Sequence, residues 1–224
     1  MIKSLKVQVY WWLQTMAIMA IVVVALLFFT TSPLINPASQ SEHLSGRIVG
    51  MMSSICLMLP FMTMMTTHSS YLQLSLSFGC TRRNHFAASQ VIKLLNAVVT
   101  LGVLVISMQF ANKYATLPFE TSAQNIVMAL MLLLAVSSVG ELLGAMTMRF
   151  GRIAFTIAII VMSLTMAILG GIIGMTFASS DNSFFITGLR YIFSNPVLLS
   201  GIAFLLTIVL TIINWIMCSK STYR

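Results

Sequence analysis

Glu141 is the only acidic residue set inside a long apolar stretch; Glu42, Glu120 and Asp181 all fall in short polar gaps. An ionisable group among apolar residues is costly unless it finds a partner, so it marks an ion pair, a gating latch or a proton relay. A relay is disfavoured because no second acid accompanies it. Pairing is the expected role, with Arg149 two turns further on and the Arg82–Arg83 doublet as candidate partners. Counted from Asn125, Glu141 lies about 24 Å along its helix, near one end of a span and away from its middle.

Other chemistry is sparse. His43, His68 and His85 fall in loops or at the ends of apolar runs, with no nucleophile at a useful spacing. Cys56, Cys80 and Cys218 show no CxxC or Cys/His pattern, which argues against a zinc site or a disulfide framework. No HExxH, GxSxG or GxxxxGK[ST] motif occurs. No catalytic residue, metal site or cofactor is therefore expected on this chain. Six of its 18 methionines (Met51, Met52, Met58, Met62, Met64 and Met65) crowd one apolar run. They offer either a pliable wall or ordinary packing.

The elements that carry these residues are set by composition. The 224 residues are 58% hydrophobic and 7% charged, against about 25% charged in soluble domains. Lipid is the solvent such a surface requires. The net charge of +8 does not indicate nucleic acid, because the basic residues sit in gaps between apolar runs and form no continuous face. A helix needs about 20 apolar residues to cross the hydrocarbon core. Six runs qualify: Leu13 to Thr31, Ile48 to Thr67, Leu94 to Phe110, Ile126 to Ala145, Ile153 to Phe177, and Val197 to Met217. The expected fold is an all-α integral membrane protein, a single transmembrane domain over residues 1–224. Nine basic residues (Lys3, Lys6, Arg82, Arg83, Lys93, Arg149, Arg152, Lys220, Arg224) fall on one side, and Arg47, Lys113 and Arg190 on the other. The larger group belongs in the cytoplasm, with both termini. Ile2, Leu5 and Val9 share one helical face ahead of Tyr10, Trp11 and Trp12, which predicts an N-terminal interfacial helix. Asn195-Pro196 predicts the start of the last helix. The aromatic stretch before it, Ser179 to Asn195, reads as a short lid or a loop on the headgroups.

The longest cytoplasmic gap runs from His68 to Lys93. Tyr71, Leu74 and Phe78 repeat at helical spacing, Gly79 suits a left-handed helix end, and Thr81 suits the cap of a new helix from Arg82. The prediction is a cytoplasmic helical elbow between spans 2 and 3, tipped by Arg82 and Arg83. Its plainer role is to enforce topology; its functional role is docking into a groove on a cytoplasmic partner. Gly140–Gly144 and Gly170–Gly174 are small-residue pairs that let helices approach closely, within one subunit or across a dimer seam. Pro60 should kink the second span.

The segment LSLSFGCTRRNHF, Leu74 to Phe86, resembles the elbow of export-type ABC-transporter permeases, in which Gly79, Thr81, Arg82, Arg83 and Phe86 match. GELLGAMTMRFG, Gly140 to Gly151, resembles a second pattern of that family. The resemblance implies a multi-pass cell-membrane subunit that pairs with a second permease copy or a homologue. It implies a separate cytoplasmic ATPase holding ATP and Mg, coupled through the elbow, with an apolar, peptide or drug-like cargo. A non-transporting sensor or assembly partner and an ion-coupled carrier are the alternatives.

Overall fold

The computed structural model describes residues 2–31, 41–69, 72, 76–77, 79–114, 122–178 and 195–220. Every regular element among them is helical: α1 Ile2–Thr31, α2 Ser41–Ser69, α3 Arg82–Tyr114, α4 Ala123–Ala178 and α5 Pro196–Lys220. Phe78, Tyr71 and Leu74, and the aromatic residues of the predicted lid before Asn195, lie outside the described residues.

Local chemistry sets the helix starts. At α3, the Gly79 N–H donates to the Leu76 carbonyl at 2.9 Å, and Gly79 takes φ 75°. Thr81 then caps the helix: its carbonyl accepts from the His85 N–H at 2.9 Å and its Oγ1 from the Asn84 N–H at 3.3 Å. Ser122 caps α4 through the Asn125 N–H at 3.3 Å. Asn195 caps α5, its Oδ1 accepting from Val197 and Leu198 at 3.2 and 3.3 Å, with Pro196 at the first helical position.

Gly151 interrupts α4 with φ 79° and ψ −172°, a conformation open essentially only to glycine. The helical runs 123–150 and 152–178 meet there, between the fourth and fifth apolar runs. The N-terminal turns do not form a helix of their own: Ile2 to Trp12 are the first turns of α1, continuous with the rest of it. At about 1.5 Å per residue, the 30 residues of α1 span about 45 Å, more than the ~30 Å hydrocarbon core. Among the described residues, three helical stretches are long and apolar enough to cross a membrane: Arg82–Ser107, Ala123–Gly151 and Pro196–Ser219.

The bundle centres on the first half of α4. α2 and α5 pack on it most extensively, α3 lies against α2 and α4, and α1 rests on α3 and α2. The α2–α4 seam is at backbone contact. A Cβ built at Gly140 would meet the Phe61 carbonyl, and one at Gly144 would meet the Met65 carbonyl and the His68 Cβ. This pair of glycines thus serves packing inside one chain. Pro60 is buried in the same stretch of α2. Gly170 and Gly174 fall in the helical backbone of α4, and their surroundings lie outside the described residues.

Amphipathicity is inverted relative to a water-soluble bundle. On α3, Ser89, Lys93, Asn96 and Thr100 are buried, while Val91, Leu94, Leu95, Val98 and Val99 are exposed. On α5, Asn214 and Cys218 are buried, while Leu205, Val209, Ile212 and Ile216 are exposed. On these two helices the polar stripe turns inward beside Ala88, Ile92, Ala97 and Ala203, while many of the larger apolar side chains face outward, as suits lipid. The inward hydroxyls cost little, because many bond the carbonyl one turn back: Thr67 to Thr63, Thr100 to Asn96 and Ser137 to Leu133, at 2.8, 2.7 and 2.7 Å.

Candidate functional site: a buried ion pair behind a capped turn

The centre of the polar interior is Glu141, whose side chain is fully buried on α4. Its partner is not Arg149, Arg82 or Arg83 but Lys93 of α3, with Nζ 3.0 Å from Oε2. Lys93 is 3% exposed. Its ammonium also donates to Thr211 Oγ1 on α5 at 3.1 Å and to Ser138 Oγ at 3.3 Å. Glu141 Oε1 accepts from Gln90 Nε2 at 2.7 Å and Ser89 Oγ at 3.2 Å. Both charges thus have several ligands, as a buried pair needs if attraction is to offset desolvation. The pair joins α3, α4 and α5 at one point.

Histidines extend the cluster. His68 on α2 lies with Nε2 3.7 Å from Glu141 Oε1, and its ring meets that of His85 edge-on at 5.5 Å between centroids. Both are buried, and neither lies in a loop. Gln8 of α1 reaches His85, with Nε2 2.9 Å from Nδ1 and 3.3 Å from the His85 carbonyl. Trp12 donates to Asn96 Oδ1 at 3.5 Å. These contacts dock the opening turns of α1 on α3.

The remaining predicted residues scatter around this centre. Arg83 is exposed and Arg82 half-buried at the first turn of α3. The Phe86 ring lies 4.9 Å from that of Trp215, fixing α3 on α5 one turn beyond the cap. Arg149 is exposed, its guanidinium 5.5 Å from the Phe150 ring centroid. No group of three His, Cys, Asp or Glu side chains able to hold a metal ion occurs among the described residues. Cys56, Cys80 and Cys218 form no disulfide with one another.

Lys93, His68, His85, Asn96 and Asn214 are additions to the site, yet the sequence carries a signal for most of them. Once α3 starts at Arg82, Ser89, Lys93, Asn96 and Thr100 recur at spacings of four, three and four, a polar stripe in an apolar helix. Thr207, Thr211, Asn214 and Cys218 repeat that spacing on α5. Stripes of this kind face the bundle interior.

Comparison with known proteins gives no match to a family model, a curated protein or a solved structure. Among the described residues every element is helical, three helices are long and apolar enough to cross a membrane, and a charged pair lies in the interior, the pattern of a multi-pass membrane protein.

Proposed function

We propose that this chain is the membrane-spanning permease subunit of an ATP-driven ABC exporter, working with a separate cytoplasmic ATPase and a second permease copy or homologue. In this reading the chain crosses the cell membrane six times with both termini inside. The kink at Gly151 separates the fourth and fifth spans, and the turn at Gly79–Thr81 is the tip of the coupling elbow. Removing the buried Lys93 from the nine-residue basic group leaves eight against three, so the orientation argument stands.

One observation carries the reading. The same unbroken helix, α3, presents exposed Arg83 at its first turn and, about 15 Å further on, locks Lys93 onto Glu141 and Thr211. A force applied to the arginine end has a stiff route to α4 and α5. ATP would drive export by binding the outward-releasing arrangement more tightly than the inward one. The cargo class implied is apolar, peptide or drug-like.

Affinity purification from native membranes should recover a soluble protein carrying GxxxxGK[ST], whose ATPase activity the chain modulates. The combined Arg82→Glu and Arg83→Glu variant should abolish that modulation while the chain still inserts. Purification free of any ATPase, or an ATPase indifferent to both arginines, overturns the reading.

The buried Lys93–Glu141 pair supports a second reading, an ion-coupled carrier, since ionisable groups inside bundles often mark ion pathways. Transport in proteoliposomes driven by an ion gradient alone would select it.

A further inference from the structure

Around the ion pair, several buried polar atoms have no hydrogen-bond partner in the protein. They are Asn214 Nδ2 and Oδ1, Asn96 Nδ2, Gln8 Oε1, and both ring nitrogens of His68. Asn214, Asn96 and His68 are fully buried and Gln8 is 2% exposed. They come from four helices: α5, α3, α1 and α2.

Their placement is not random. His68 is the 3.7 Å neighbour of Glu141. Asn96 lies one turn beyond Lys93 on α3. Asn214 lies one turn beyond Thr211, the α5 ligand of Lys93. Gln8 reaches the cluster through His85, which faces His68. His68, Asn96 and Asn214 therefore each sit one contact or one helical turn from the pair or its ligands, and Gln8 lies further out, behind His85 and His68.

A buried donor or acceptor without a partner costs about as much as a lost hydrogen bond, and nearly all such groups in folded proteins are satisfied by protein or by bound water. The amide of Asn214 is the sharpest case, because exchanging its O and N assignments leaves both atoms unpaired. Internal waters characteristically make about three bonds to such groups.

We propose that the polar interior around the Lys93–Glu141 pair holds internal water, with molecules bound on Asn214, Asn96, Gln8 and His68. The water lets the pair separate without leaving either ion bare, so α3 can shift against α4 at a lower barrier than in a dry core. This holds whatever the cargo or the energy source.

Radiolytic footprinting reads it directly, because hydroxyl radicals born on internal water oxidise the side chains beside it. Cys218, one turn beyond Asn214, and Cys56, three turns before His68, are both buried, at 6% and 3% exposure. In detergent-solubilised protein Cys218 should be oxidised several-fold faster than Cys56, and Asn214→Leu should bring it down to the Cys56 rate. Equal rates in the unmodified chain overturn the proposal, and that arm needs no variant to fold. The unfolding midpoint gives a second measure. Asn214→Leu should lower it by about 2–4 °C if water bridges the amide. A rise would mean that the amide is a dry orphan better replaced by an apolar group, and the proposal would fail.

Discussion

Lys93 and Glu141 stand 48 residues apart in sequence and 3.0 Å apart in space, a cation and a carboxylate sealed together inside the bundle. Removing either alone leaves the other buried and uncompensated, which costs about 3–5 kcal/mol, whereas replacing both by apolar residues of similar size is often neutral. Glu141→Leu and Lys93→Met should each lower the unfolding midpoint strongly in detergent. The double variant should recover most of the loss. Additive losses in the double-mutant cycle would show that the two charges do not act as a pair.

Gly140 and Gly144 leave no room for a side chain, since a Cβ on either would press on a carbonyl of α2. Gly140→Val should separate the two helices and cost about 1–3 kcal/mol, as overpacking does. Gly102 is the contrast. It sits on α3 with open space around it, so Gly102→Ala should stabilise by about 0.5–1 kcal/mol through helix propensity alone. Unfolding midpoints of the two variants should move in opposite directions.

Gly79 and Gly151 both have positive φ, and a Cβ at either would meet nothing within 4 Å. Alanine at either is therefore opposed by backbone conformation alone, by about 1–3 kcal/mol. Asparagine tolerates the left-handed helical region better than alanine does, so Gly79→Asn should cost less than Gly79→Ala. At Gly151 the ψ of −172° lies outside that region, and Asn should give no relief. Comparing Asn with Ala at both positions by thermal unfolding separates the two cases.

A single cysteine placed at Asn84, with the native cysteines replaced, reports orientation. A membrane-impermeant thiol reagent should leave it untouched in intact cells and label it in inverted vesicles. Labelling from outside would put Arg82 and Arg83 on the wrong face for any cytoplasmic partner.

Short-range chemistry is legible in the sequence. Asn195-Pro196 opens α5, and Gly79 and Thr81 form the turn and the cap before α3. Those features depend on a few adjacent residues, whose types limit the backbone whatever surrounds them. Glu141 stands out because a lone acid among apolar residues is conspicuous, but the arginines that the sequence offers it are not its partners. Lys93 borders an apolar run and reads as one of the charges that orient the chain. Only the packing of α3 against α4 and α5 turns it inward. The histidines are hidden for the same reason, since His68 and His85 meet through tertiary contact alone. The amphipathic pattern of the opening turns of α1 gives no sign of the contact that buried Gln8 makes with α3.

The inward polar stripes limit how these helices can move. Rolling α3 about its own axis by a third of a turn would drive the Lys93 ammonium into acyl chains and bring Val91 or Leu94 against Glu141. Rolling α5 would do the same to Asn214. Rocking and lengthwise slippage keep the stripes in register, so any working cycle built on this bundle must use those motions and leave the azimuth of each rod unchanged.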